Sequence, residues 1–330
     1  MVCAARLCVV LFAVAILSGC ASKDPVDYLP DCVAYASMNM RQIREEPGSK
    51  RLLELSDKFN ATRSGASEKV QQVYFGLKDF SPGGGGVFGI ILGTPGMAES
   101  LLDEFKTAGG AETKIDGKRA VKVEGRYIVV ELTDSGLLFT DRESNFDVMK
   151  QTSKKKNPGA VNSPVFRKLS SLSALKPITV VANIQQLTAR AAPQLGMLAM
   201  LNPKGAEALQ QVALASLTAN WQQQPRIELT AYLDNEESRK ELAGLINLLM
   251  GQMKSQPALA DKIPPMIQQL EAKSGPDGVV VALDVPKEEA DKMIVEMEKL
   301  SATLPSDPKQ REAALQGLLM QRFAGAAGRR

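Results

Sequence analysis

The sequence of 330 residues contains no histidine. Missing with it are the usual general base near neutral pH and the commonest ligand of zinc, copper and non-haem iron. A Ser-His-Asp triad, a Cys-His pair and every histidine-containing zinc site are therefore excluded. Cysteine is scarce: Cys3, Cys8, Cys20 and Cys32 are the full set. Aromatic residues make up 5% of the chain, with five tyrosines and one tryptophan, Trp221, which is thin for a glycan cleft built on stacked rings. Charge of either sign is not in excess, since 40 Lys and Arg face 37 Asp and Glu for a net of +3, so no global field points to nucleic acid. No apolar run approaches the roughly 20 residues that a membrane-spanning helix needs.

The longest apolar run, Leu7 to Leu17 (LCVVLFAVAIL), follows a single basic residue, Arg6, in the pattern of a secretory signal peptide. It ends in Leu17-Ser18-Gly19-Cys20 in place of the usual Ala-x-Ala. This stretch resembles the lipobox of bacterial lipoproteins. What the resemblance implies is a thioether-linked diacylglycerol on Cys20, cleavage between Gly19 and Cys20, and acylation of the new amino terminus. Each buried methylene contributes about 0.8 kcal/mol, so two or three chains hold a protein at a bilayer where one does not. Loss of the leader and lipidation of Cys20 would leave Cys32 alone, with no intramolecular disulfide. The lipoprotein class further implies that the residues after the lipidated cysteine set the address. Here they are Ala21 and Ser22, which in a Gram-negative cell implies the periplasmic face of the outer membrane. The body, from Leu29-Pro30-Asp31 and the strand after it, resembles uncharacterised extracytoplasmic bacterial proteins and inherits no function from them.

The organisation expected is a signal peptide over residues 1–19, a tether over 20–30, an α+β half over 31–160, a second over 161–305, and an amphipathic helix with a basic tail over 306–330. Alternation predicts strands at Cys32–Met40, Val70–Leu77, Val87–Leu92, Ile178–Ile184, Ile227–Leu233 and Val279–Val285. Glu112–Glu124, Tyr127–Leu132 and Gly136–Thr140 read as an antiparallel meander, with turns at Asp116-Gly117, Gly125 and Asp134-Ser135-Gly136. Helical spacing predicts helices at Arg41–Phe59 with a break near Pro47-Gly48, Met97–Thr107, Asn145–Gln151, Pro203–Trp221, Ser238–Lys254, after Pro264-Pro265, and Glu288–Leu300. The halves look like copies. Asn39–Ile43 matches Asn183–Leu187 at a spacing of 144, Val87–Phe105 matches Ile227–Leu245 at 140, and Ile128–Leu132 matches Val279–Leu283 at 151. The fold class expected is α+β, two related halves from a tandem duplication, mostly antiparallel sheets with helices packed on them.

Candidate chemistry is sparse. The glycine run Gly83–Gly86 is followed by a strand and lacks Gly-Lys-Ser/Thr, so it reads as a hairpin loop and not a phosphate loop. Ser-x-x-Lys occurs at Ser153–Lys156, Ser173–Lys176 and Ser306–Lys309; three occurrences mark a cheap pattern, and Pro177 pushes Lys176 out of helical geometry. Asp134 and Asp141 flank a hairpin without the five or six oxygens that calcium needs. Glu288, Glu289 and Asp291 suit the positive end of a helix dipole. The lysine run at Lys154–Lys156 reads as a solvated loop, with anionic headgroups as its functional alternative. Met197, Met200, Met250, Met253, Met266, Met293 and Met297 concentrate in the second half, either as core filler or as the lining of a pliable apolar groove.

The function expected is a lipid-anchored, non-catalytic binding or structural module of the cell envelope. No cofactor, metal or catalytic residue is assigned, and Cys20 is the one site residue, for lipid attachment. Its partners would be the membrane, through that lipid, and an unknown protein or hydrophobic partner, without nucleic acid. The alternatives are a carrier of hydrophobic ligands and a carboxylate-only hydrolase of envelope glycans, which needs two carboxyl groups about 5 to 10 Å apart.

Overall fold

The computed structural model describes residues 24–47, 49, 66–79, 86–123, 127–185, 192–221, 224–255 and 265–303. Within them the alternating segments become strands of a single antiparallel sheet. In chain order the first half gives β1 (Ala34–Asn39), α1 (Met40–Glu45), α2 (Ala66–Lys69), β2 (Val70–Leu77), β3 (Val87–Gly93), α3 (Met97–Thr107), β4 (Ala111–Ile115), β5 (Lys118–Val123), β6 (Tyr127–Thr133), β7 (Gly136–Thr140) and α4 (Ser144–Ser153). Next come α5 (Pro164–Ser173), β8 (Ile178–Asn183), α6 (Ala192–Leu201), α7 (Pro203–Gln210), β9 (Leu214–Asn220), β10 (Arg226–Tyr232), α8 (Glu236–Ser255), α9 (Pro265–Gln268), β11 (Ala272–Ser274), β12 (Gly278–Asp284) and α10 (Lys287–Thr303). The strand order is β11-β12-β10-β9-β8-β1-β2-β3-β7-β6-β5-β4, so the halves share one sheet and meet where β1 pairs with β8.

Alternation fixes what each face buries. On one face Tyr35, Phe88, Ile90, Val130 and Leu138 lie against Leu29, Phe146 and Met149 of α4, and Phe166 and Leu169 of α5. On the other, Met97, Ala98, Leu101 and Leu102 of α3 cover Val121, Val129 and Leu137. Further along, Leu242 and Ala243 of α8 pack with Ala208 of α7 on Ala272 and Val279. Close approach of α7 and α8 depends on Gly205, where an added Cβ would stand 2.6 Å from that of Leu245.

Several expectations shift. The meander has four strands, because Asp116 and Gly117, at φ 52° and 76°, close a two-residue hairpin inside Glu112–Glu124. The helix expected over Pro203–Trp221 stops at Gln210. Asn202 caps its start, accepting from the Gly205 N–H at 2.8 Å, and Pro203 fits the first turn. Beyond it LASLTAN forms β9, bonded on both sides, so pairing within the sheet overrides local helical pattern. Helices α5 and α6 lack a sequence expectation. The tether expected over 20–30 is packed down from Pro25 onward: Pro25–Tyr28 forms a 3-10 turn, Leu29 is fully buried and Pro30 bridges Gly159. Finally, β12 stands beside β10 as β7 stands beside β3, so its positional counterpart is β7 and not β6, as the 151 spacing had it. The break at Pro47-Gly48, the helix beyond it, residues 1–23 and residues 304–330 lie outside the described residues.

Small polar side chains line the seam between the halves. Thr179 of β8 is fully buried between Ser37 and Thr218, and its Oγ1 has no hydrogen-bond partner among the described residues. A buried hydroxyl without a partner costs about 1–3 kcal/mol of desolvation. Thr179→Val should therefore raise stability by about 1 kcal/mol, read as a higher urea midpoint at unchanged slope. A lower midpoint would show that the hydroxyl is bonded after all.

Candidate functional site

Most sequence candidates turn out to hold the fold together. Asp134 accepts from the Gly96 N–H at 2.9 Å and so anchors the start of α3. Asp141 accepts from the Val87 N–H at 3.0 Å and from Asn145 Nδ2 at 2.9 Å. The two carboxylates occupy opposite ends of β7, roughly 20 Å apart at about 3.3 Å per residue, and do not meet. Among the described residues no group of three or more Cys, Asp or Glu could hold a metal ion. Ser153 Oγ donates to the Lys150 carbonyl and Ser173 Oγ to that of Ser170. Ser306–Lys309 and Gly83–Gly85 fall outside the described residues.

Cys32 is buried, and burial pushes its thiol up to about 12, far from the thiolate a nucleophile needs. Its backbone N–H donates to Tyr35 Oη at 2.8 Å, and that hydroxyl donates to the Pro30 carbonyl at 2.7 Å. Burial likewise raises the Tyr35 pKa. The group is a structural clasp. Glu112 is held below the usual carboxylate range by hydrogen bonds from Lys106 and Arg119, and Glu236 by one from Lys240, away from the raised value of a general acid.

Among the described residues two features stand open to a ligand or partner. The first is a transverse row of apolar residues. Pairing aligns Phe75, Ala36, Val180, Leu217, Leu229 and Val281 across β2, β1, β8, β9, β10 and β12, on one face. At one end Phe139 lies over Gly89, where a Cβ would fall 1.9 Å from its ring, and meets Phe75 edge-on at 5.0 Å. At the other end Val281 packs into the α7–α8 cluster. Between the ends, Leu217 is 39% exposed and Leu229, directly opposite it, 47%. Leu217 lies inside the segment expected to be helical, so sequence reasoning could not place it on a sheet face. Of the methionines, Met250 packs inward while Met200 and Met253 are exposed.

The second is a cavity of about 200 Å³ in the first half, between α4, the 3-10 turn and the β4–β5 hairpin. Val130, Leu138 and Phe146 form its floor, Tyr28, Ile115 and Leu132 its walls, and Lys118, Lys150, Lys154, Asp116 and Glu131 its mouth. Among the described residues no methionine lines it. The lysine run was the one sequence signal at this place.

No family model and no curated protein sequence matches the chain. Among solved structures, crystal form I of TP0453 is similar at 12% identity and a TM-score of 0.46, covering 84% of this chain and 98% of that one. Crystal form III is similar at 14% identity and 0.45, covering 83% and 98%. Such values are too low to transfer a function.

Proposed function

We propose that the protein is a lipid-anchored, non-catalytic binding module of the cell envelope, held by acyl chains on Cys20 and engaging a protein partner through the open stretch of its sheet. The observation that carries the reading is the Leu217–Leu229 pair, 39% and 47% exposed in an apolar row whose other members are partly buried. Contiguous exposed apolar surface marks an interaction site more often than scattered leucines do. Exposed Met200 and Met253 favour a docking surface over an enclosed, methionine-lined carrier cavity. In a Gram-negative cell the site of action is the periplasmic face of the outer membrane. A photo-crosslinking residue at Leu229 should give a discrete protein adduct in intact cells, lost on Leu217→Lys. The same probe at Val161, also exposed but outside the row, should give none. Absence of any adduct at Leu229, or equal adducts at both positions, would sink the reading.

The halves are further proposed to descend from one duplicated unit. Four strands in each half support this, because they keep both order and register. Ala34↔Leu77 in β1–β2 corresponds to Ile178↔Ala219 in β8–β9, and Leu77↔Val87 to Ala219↔Ile227. Leu92↔Gly136 in β3–β7 corresponds to Tyr232↔Gly278 in β10–β12. The spacings are 144, 142, 140 and 142 along the four strands. Buried Leu102 of α3 and Leu242 of α8 fall at the same 140 spacing.

A further inference from the structure

The cavity of the first half combines two chemistries. Its interior is hydrocarbon, since Val130, Leu138 and Phe146 are buried core residues that face an unfilled space. Its mouth carries three ammonium groups against two carboxylates, an excess of one positive charge. Two of the three lysines are already engaged. Lys150 Nζ pairs with Asp116 Oδ2 at 2.6 Å, and Lys118 Nζ donates to the Leu132 carbonyl at 2.6 Å. Lys154 has no side-chain partner among the described residues and sits at the end of α4, one residue before Lys155, whose φ of 59° turns the chain away.

Size narrows the ligand. A space of about 200 Å³ lies below the roughly 300 Å³ at which sites for drug-sized molecules begin. One short chain fits and a two-chain lipid does not. We propose that this cavity is a binding site for a single-chain amphiphilic anion, its alkyl part against Val130, Leu138 and Phe146 and its carboxylate or phosphate head on Lys154. The apolar interior supplies affinity by burying the alkyl chain, and the Lys154 ammonium selects the sign of the head. A neutral head would leave Lys154 without a counterion, and a cationic head would meet it repulsively. The site is separate from the open stretch of the sheet, so the two readings stand or fall apart.

The test uses the full mature chain in lipid nanodiscs, with empty nanodiscs as blank, titrated with carboxyl-labelled octanoate followed by NMR. Saturable binding is expected, with octanol and octylammonium at least tenfold weaker. Lys154→Glu, on the surface, should weaken octanoate at least tenfold without altering the fold, and Leu138→Trp should fill the cavity and abolish binding. Octyl phosphate competing better than octanoate would assign the head to a phosphate source; the reverse would assign it to a free carboxylic acid. Equal binding of octanol and octanoate, binding indifferent to Lys154→Glu, or no saturable binding would overturn the proposal.

Discussion

Tyr35→Phe should lower the stability of the protein by about 2–6 kcal/mol, although the change deletes a single oxygen atom. The hydroxyl accepts from the Cys32 N–H and donates to the Pro30 carbonyl, in a place where Tyr35 is 1% exposed and Cys32 is buried. Removing it strands one backbone donor and one backbone acceptor, each at about 1–3 kcal/mol. The ring would stay, along with its edge-on contact to Phe166 at 5.2 Å. Against a total of about 5–15 kcal/mol this is a large loss. Tyr74 provides the control, because it also packs on Phe166 and has no hydrogen bond from its hydroxyl among the described residues. Tyr74→Phe should change stability by less than about 0.5 kcal/mol. Urea unfolding at constant slope measures both, and a Tyr35→Phe protein as stable as Tyr74→Phe would show that the clasp is not formed.

The second large effect concerns the anchor. On the lipoprotein reading, Cys20→Ala should abolish acylation and leave an unprocessed precursor, since only the thiol can carry the thioether. Ala21→Asp should keep the lipid and, in a Gram-negative cell, move the protein to the inner membrane. Acyl labelling with membrane fractionation distinguishes the cases, and an unlabelled wild-type protein free in the periplasm or medium would refute the reading. The packed segment from Pro25 to Pro30 sharpens the geometry. Asp24 already caps that segment's turn through the Val26 N–H, and on the same reading the four steps of chain from Cys20 to Asp24 can reach at most roughly 14 Å at 3.3 to 3.6 Å each. A lipid on Cys20 would then hold the body against the headgroups.

Legibility followed locality. Met97–Thr107 matches its helix end to end, since Leu101, Leu102 and Phe105 recur at helical spacing between clear turn signals. Most strands were legible by alternation, and Asp116-Gly117 announced its hairpin by tolerance of positive φ. Leu214–Asn220 was not, because its strand character is imposed by β8 and β10 on either side and not by its own residues. The site followed the same division. The lysines at Lys154–Lys156 were visible as a run, yet the cavity beside them joins residues from Tyr28 to Lys154, a closure that no window of sequence contains. The apolar row was equally hidden, being one residue from each of several strands.

The seam between the halves has a consequence for ancestry and assembly. Ala36 and Val180 face one another across β1 and β8, and they are also the residues that the 144 spacing equates. A two-fold axis at that pair would exchange the halves. On the duplication reading, a chain of half this length would have ended in an open edge at β1, a liability unless covered. A second copy could have closed it with the same ladder, Ala36 opposite Ala36, as a symmetric homodimer. On that reading fusion then made the pairing intramolecular. The β1 edge is closed by β8 at any protein concentration, and two fused halves would be free to lose the symmetry: a cavity in one, a half-exposed pair of leucines in the other.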